Sequence, residues 1–123
     1  MAKSEVGMRR RNNRTAGHNW ERECVKLLSE FFPDVVTSRS ESKRRDDQKV
    51  DLCYTDYLNV QCKTLKDRVD YISVLEEMPI EEGQINVIFE KKTIKSPKGR
   101  FMTQGKYVHM TLDDFINLIR KTC

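Results

Sequence analysis

Long apolar runs and paired cysteine motifs are both missing from this chain of 123 residues, and each absence excludes a class of protein. No apolar run approaches the roughly 18 residues that a membrane span requires. Residues 1–14 are polar and basic and lack the apolar stretch of a secretory signal. The four cysteines have the spacing of neither a CxxC metal clamp nor a compact disulfide framework. We therefore expect a soluble protein with reduced thiols in the cytoplasm, near the nucleoid, or in the host cytoplasm if the source is viral.

Glycine and proline are also scarce, at 5 and 3 residues, and no internal repeat or low-complexity segment is present. Hydrophobic residues make up 37% of the chain and charged residues 34%, which suffices for one small core. The composition therefore predicts a single domain over residues 15–123, preceded by a flexible basic arm over residues 1–14.

The net charge of +4 is unevenly distributed along the chain. Residues 1–49 contain 12 Lys and Arg against 8 Asp and Glu, whereas residues 50–123 contain 11 of each. Basic residues cluster at Arg9, Arg10, Arg11 and Arg14 and again at residues 43–45. The front of the chain thus favours a polyanionic partner, although a solvated tail and loop would have the same composition.

Apolar periodicity predicts a small α/β domain with a mixed sheet flanked by helices. A first helix is expected from Ala16 to Phe32, followed by a solvent-facing loop over residues 38–49. The apolar stripe of this helix is predicted to be Trp20, Cys24, Leu27, Leu28 and Phe31. Residues 50–54 and 57–64 form a β-hairpin in the simplest construction. The remaining expected elements are a strand at 35–37, a helix at 69–78, strands at 85–89 and 107–110, a turn at 97–99 and a last helix from Thr111.

Three polar residues on the expected hairpin can share one face of the sheet. Side chains alternate along a strand, so Gln61 and Lys63 project together while Cys62 faces the core, and Asp51 can be placed beside them. A carboxylate, an amide oxygen and an ammonium group suit a Mg²⁺-dependent phosphodiester hydrolysis. The same alternation is common in half-exposed strands without any function, and spacing alone does not separate the two interpretations.

A helical wheel adds one acidic residue to this group. Glu21 lies about 20° past the edge of the apolar stripe at ~100° per residue and can reach over the sheet. Glu23 lies on the polar side of the helix, and we expect it to stay in solvent. His109 is interpreted as a solvent-face strand residue.

These residues carry a family resemblance. The segments GHNWERECVKLL (17–28), VVTS (35–38), KVDL (49–52) and YLNVQCK (57–63) resemble the archaeal-type Holliday junction resolvases of the PD-(D/E)xK nuclease superfamily in order and spacing. The resemblance covers residues 17–71 most closely. It implies a restriction-endonuclease-like core, a Mg²⁺ or Mn²⁺ cofactor, a homodimer and branched double-stranded DNA as substrate.

The resemblance also assigns roles to single residues. Glu21, Asp51 and Gln61 correspond to metal-binding positions, with the carbonyl of Cys62 as a further ligand, and Lys63 corresponds to the catalytic lysine. Gln61 departs from the family, which has a glutamate there, and a neutral amide holds a cation less strongly. DNA contacts are expected from the basic arm and from a loop, namely from Arg9, Arg10, Arg11, Arg14, Ser38, Arg39, Ser40, Ser42 and Lys66.

Three functions follow from these observations. The first is a metal-dependent endonuclease that resolves four-way junctions. The second is a restriction-type or nicking nuclease that acts on linear duplex DNA. The third is a DNA-binding accessory protein in which the Gln61 variant of the motif no longer supports cleavage.

Overall fold

A computed structural model describes residues 2–41, 47–64 and 69–123, with side chains from Thr15 onward within those ranges. The elements are α1 (Ala2–Leu28), β1 (Val36–Thr37), α2 (Ser38–Glu41), β2 (Leu52–Cys53), β3 (Leu58–Lys63), α3 (Tyr71–Glu77), β4 (Ile85–Lys95), β5 (Phe101–His109) and α4 (Leu112–Thr122). None of the helices in these ranges has both the length and the apolarity that crossing a membrane requires.

The strands form two small sheets, which confirms a mixed α/β fold. In the larger sheet the order is β3-β4-β5, with β3 parallel to β4 and β4 antiparallel to β5. β1 and β2 form a separate antiparallel pair in which Val36 faces Cys53. The expected pairing of β2 with β3 as a hairpin was therefore wrong. The carbonyl of Asp51 accepts from Ser38 N at 2.7 Å, so the chain before β2 is bonded to the β1 side.

The core lies between α1 and one face of the larger sheet. Trp20 and Cys24 of α1 are buried against Val60 of β3 and against Ile85 and Val87 of β4. The indole Nε1 of Trp20 also donates to the carbonyl of Phe89 at 2.9 Å. The predicted apolar stripe is thus confirmed for Trp20, Cys24 and Leu28, which lie against the inward positions of two parallel strands. It was wrong for Leu27 and Phe31, which are 52% and 68% exposed.

Two expectations about the first fifty residues were wrong. The first helix begins at Ala2 and not near Ala16, so the backbone of residues 2–14 continues α1. Lys, Arg, Glu and Met are good helix formers and can extend a helix without an apolar face. The segment expected to be a solvent-facing loop begins with the helical turn α2, in which Ser38 is fully buried.

The opposite face of the larger sheet is polar and is covered by α3. Asp70 begins this helix by accepting from Ser73 N at 3.2 Å, and Pro79 beyond its end accepts from Asn86 Nδ2 at 2.9 Å. The last helix, α4, begins as predicted, with Thr111 Oγ1 accepting from Asp114 N at 3.0 Å. Both helices are therefore anchored to the start of β4, since Asp114 also accepts from the backbone N of Asn86.

β4 and β5 are longer than the sequence predicted. β3 ends at Lys63, which pairs with Glu90, whereas β4 continues to Lys95 and stays paired with β5. The strands beyond Glu90 form a two-stranded ribbon with an irregularity between Lys92 and Thr93. The predicted turn closes it, with Gly99 at a φ of 85° and Gly99 N donating to the carbonyl of Ser96 at 2.9 Å.

Candidate functional site

Asp51 is the best-fixed member of the predicted site. Its carboxylate Oδ2 accepts from the backbone N of Cys62 at 2.7 Å. Its own backbone N donates to the carbonyl of Val60 at 2.7 Å, and its carbonyl accepts from Ser38 N at the same distance. Asp51 therefore connects α2 to the last residues of β3. Its side chain lies at the edge of β3, because the strand's N–H groups point along the plane of the sheet.

Gln61 and Lys63 lie on the polar face of the sheet, as predicted from alternation. Gln61 is only 7% exposed, and its Oε1 has no hydrogen-bond partner within the described part of the chain. Lys63, two residues further on, is half-buried. A buried amide oxygen without a donor costs about 1–3 kcal/mol, so a cation or a donor from a ligand would relieve this cost.

Cys62 points to the other face, where it meets α1. A hydrogen bond with Cys24, together with burial, raises the pKa of the Cys62 thiol, and the negative charges of Asp51 and Glu21 raise it further. Cys62 is therefore a neutral core residue, as predicted. The Asp51 carboxylate lies at the same end of β3, since it accepts from the backbone N of Cys62.

The predicted residues thus surround the end of β3 on different sides. Glu21 of α1 lies on the side of Cys62, Gln61 and Lys63 lie on the opposite side, and Asp51 lies at the edge between them. Sequence alternation alone could not separate these positions, because the side of the sheet that α1 covers depends on the tertiary fold.

Arg39 and Glu21 form an ion pair that joins α2 to α1. Arg39 Nε donates to Glu21 Oε1 at 3.1 Å, and the Glu21 side chain is only 13% exposed. Arg39 is exposed, as its expected role in DNA contact requires. Ser40 is exposed as well, and its hydroxyl donates to the carbonyl of Thr37 at 2.8 Å.

Ser38 does not fit its expected place in the DNA-facing loop. Its side chain is fully buried, and its Oγ lies 3.4 Å from Cys53 Sγ. Among the other predicted DNA contacts, Ser42 and Lys66 lie outside the described residues, as do the side chains of Arg9, Arg10, Arg11 and Arg14.

The polar face holds a buried carboxylate that the sequence analysis missed. Glu90 is 2% exposed and pairs in register with Lys63. His109 Nε2 lies 2.9 Å from Glu90 Oε1, and the His109 ring stacks on Tyr71 at 3.6 Å between centroids. Burial alone would raise the pKa of Glu90, but hydrogen bonds from Tyr71 and His109 outweigh burial and lower it. Burial, with the neighbouring Glu90, raises the pKa of Tyr71 to about 12.

One signal in the sequence pointed to this cluster. Glu90 directly follows the apolar run 85–89, so it ends a buried strand. His109 was expected to face solvent, whereas it is half-buried and bonded to Glu90. The register of β4 against β5, which brings the two residues together, is not encoded in a local pattern.

Glu23 also reaches the sheet, contrary to the helical-wheel expectation. Its carboxylate forms ion pairs with Lys91 of β4 and with Lys106 of β5. Hydrogen bonds from these lysines, Lys106 foremost, lower the pKa of Glu23 despite its partial burial. Both lysines also lie within 6 Å of the centre of the Trp20 ring, at 5.7 and 5.9 Å.

The donor set at the end of β3 suits a hard cation. The described residues contain no cluster of three or more His, Cys, Asp or Glu side chains that could hold an ion. Of the predicted ligands, the Asp51 carboxylate, the Gln61 amide oxygen and the Cys62 carbonyl are oxygen donors of the kind that Mg²⁺ accepts. The fourth, Glu21, lies on the α1 side of the sheet and is paired with Arg39. The unpartnered Oε1 of Gln61 is the observation that best fits such a ligand.

Comparisons of this chain with protein-family models, with curated proteins and with solved structures returned no match.

Proposed function

We propose that this protein is a metal-dependent endonuclease with a restriction-endonuclease-like core, which cuts branched DNA by phosphodiester hydrolysis. The geometry at the end of β3 is the observation that carries the proposal. There the Asp51 carboxylate accepts from Cys62 N at 2.7 Å. On the same side of the sheet as Lys63, the buried Oε1 of Gln61 has no hydrogen-bond partner within the described residues. These are the groups that the sequence motif assigns to metal binding and catalysis.

The residues would divide the work as follows. Asp51, Gln61 and the carbonyl of Cys62 would hold Mg²⁺ or Mn²⁺, which would supply positive charge to phosphate oxygens and acidify a coordinated water. Glu21, on the α1 side of the sheet, would instead position Arg39 through their ion pair. Lys63 would orient the attacking water or stabilise the charge that develops on the phosphate. Arg39, exposed beside Glu21, would bind a neighbouring phosphate. In this mechanism Asp51 is the central ligand because its backbone is fixed on both sides.

A homodimer belongs to the same proposal, because resolving a four-way junction needs two symmetric cuts. The apolar side of α4 supports it, since Leu112, Phe115, Ile116 and Ile119 are between 41% and 73% exposed. Sedimentation of the wild type and of Phe115→Glu measures the mass directly. We expect a dimer and a monomer, respectively, and a monomeric wild type would contradict this part of the proposal. We place the protein in the cytoplasm, where DNA and Mg²⁺ are both present.

The test is cleavage of a labelled four-way junction and of a linear duplex with the same sequence, in Mg²⁺, with wild type, Lys63→Ala and Gln61→Glu. We expect the wild type to cut the junction faster than the duplex and Lys63→Ala to be inactive. Preference for the linear duplex would instead indicate a restriction-type or nicking enzyme. Full activity in Lys63→Ala would refute the assignment.

Gln61→Glu tests the neutral amide. If Gln61 binds the cation, adding a negative charge should lower the Mg²⁺ concentration needed for half-maximal activity. A non-cleaving accessory protein is the conclusion if the wild type binds junctions but cuts none in Mg²⁺ or Mn²⁺, and if calorimetry detects no Mg²⁺ binding.

A further inference from the structure

Among the residues whose side chains the structure describes, the segment from Lys91 to Leu112 is the most strongly basic. It contains six Lys and Arg residues and no Asp or Glu. Counting charge over residues 50–123 hides this segment, because residues 50–90 contain nine Asp and Glu against three Lys and Arg. The second part of the chain is therefore not electrostatically neutral along its length, and its positive charge is concentrated in one structural element.

That element is the ribbon formed by β4 and β5 beyond Glu90, here called the basic ribbon (residues 91–106). It starts where β3 ends, since Lys63 pairs with Glu90 and the strands run parallel. The five further residues of β4 extend about 16 Å past Lys63, at ~3.3 Å per residue. The basic ribbon thus projects from the end of the sheet at which the candidate site lies.

The basic ribbon carries positive charge on both faces and at its tip. Alternation places Lys95 on the α1 face and Lys92 on the opposite face, with Lys63. Lys91 also lies on the α1 face, where it is paired with Glu23. Lys98 and Arg100 are exposed in the closing turn. Ser96 fixes this turn, because its carbonyl accepts from Gly99 N at 2.9 Å and its Oγ accepts from Arg100 N at 3.2 Å. The tip therefore presents its cations from a defined backbone.

We propose that the basic ribbon binds double-stranded DNA by entering a groove of the arm that leads to the cut phosphate, a proposal that rests on the proposed nuclease function. A two-stranded β-ribbon fits the major groove, whose two walls are phosphate backbones. Cations on both faces and at the tip can meet both walls. A surface that lies on an anionic membrane would instead collect its cations on one side. The ribbon's reach of about 16 Å corresponds to about five base pairs from the candidate site, at ~3.4 Å per pair along each strand.

The test compares the wild type with Lys98→Ala/Arg100→Ala, and with the control Lys26→Ala/Arg120→Ala, which removes the same charge from exposed positions on α1 and α4. Dissociation constants for a four-way junction and for a duplex are measured in EDTA over a range of salt concentrations. Unfolding by urea and the circular dichroism spectrum establish that both variants fold.

We expect the tip variant to bind DNA roughly tenfold more weakly at physiological salt, and the slope of log Kd against log salt to fall by about 2 units. The control should retain the wild-type slope. Equal slopes in the two variants would overturn the proposal, as would tip-dependent binding to vesicles that contain phosphatidylserine without tip-dependent binding to DNA.

Crosslinking of the ribbon lysines to DNA is a second measurement, which does not depend on the alanine variants. Crosslinking of wild-type lysines to oxidised abasic sites should reach Lys92, Lys95 or Lys98 from positions about five base pairs from the cut. Absence of crosslinks to all three would contradict the proposal. Because binding is measured in EDTA and cleavage in Mg²⁺, loss of the ribbon proposal and loss of the nuclease proposal are distinguishable.

Discussion

Residues 50–90 and residues 91–112 share strand β4, yet they have opposite composition. The first region has nine acidic residues against three basic ones and contains β3, α3 and the buried half of β4. The second has six basic residues and no acidic one, and most of its side chains are exposed. The boundary is Glu90, the last residue of β4 that pairs with β3. A single strand thus passes from a buried, acidic scaffold to an exposed, basic surface.

This contrast changes the meaning of the net charge. Residues 1–49 have a net charge of +4, and residues 50–123 have a net charge of zero. The balance after residue 50, however, is the sum of two opposite regions that lie at different places in the sheet. Charge becomes informative about a partner once the element that carries it is known.

The largest expected effect comes from removing the charge of Asp51. Asp51→Asn keeps an oxygen that can accept from Cys62 N and removes the negative charge, so the fold is retained while the cation loses its central ligand. We expect single-turnover cleavage of a junction to fall by about a thousandfold, with DNA affinity in EDTA unchanged. Asp56→Asn, in the neighbouring turn, is the control, because Asn tolerates its φ of 53°. Cleavage by Asp51→Asn at the wild-type rate would contradict the proposed role of Asp51 as a metal ligand.

The contrast in burial can be tested with two isoleucines on the same face of β4. Ile88 is fully buried and Ile94 is 45% exposed on the ribbon. Ile88→Ala should lower the free energy of unfolding by about 2–5 kcal/mol, because it leaves a cavity in the packed region. Ile94→Ala should cost about 1 kcal/mol or less. Urea unfolding measures both free energies. Equal losses would mean that Ile94 is packed as closely as Ile88, which would contradict the contrast in burial.

Breaking the ion pairs between α1 and the basic ribbon should have a smaller effect, and this effect is a gain in DNA affinity. Glu23→Gln removes the carboxylate that pairs with Lys91 and Lys106. The two lysines then become more available to phosphate, and we expect DNA affinity to rise roughly threefold at low salt. Glu30→Gln, exposed in the turn that follows α1, serves as the charge-matched control. A rise of the same size in both variants would assign the gain to net charge and not to the ribbon.

The smallest expected effect is a pH dependence of stability at the boundary residue. The pKa of Glu90 is lower in the folded protein than its ordinary value, so the unfolded chain takes up this proton first as the pH falls. The stabilisation is present above the unfolded pKa of about 4.3 and is lost as the pH falls through the folded pKa. Between pH 6 and pH 3, the wild type should lose more of its free energy of unfolding than Glu90→Gln does in urea unfolding. Glu82→Gln, exposed in a turn, should keep the wild-type profile.

Local patterns accounted for a large part of the fold. The part of the apolar stripe formed by Trp20, Cys24 and Leu28, the cap of α4 by Thr111 and the turn before Gly99 were predicted and confirmed, because each depends on residues close in sequence. Asp51 N donates to the carbonyl of Val60. The hairpin of residues 50–64 was nevertheless wrong as a paired ladder, because β2 pairs with β1 and no local pattern connects these strands. The expected exposure of Ser38 failed for the same reason.

The sequence by itself determined the alternation that separates Gln61 and Lys63 from Cys62, because side-chain direction follows from the geometry of a single strand. It also determined the amount and order of charge. Only the tertiary structure decided that Asp51 bonds to Cys62 N, that Glu23 reaches Lys91 and Lys106, and that Glu90 pairs with Lys63. These contacts depend on strand register and on which helix covers which face. Both are set by the burial of distant apolar residues and not by neighbours in the chain.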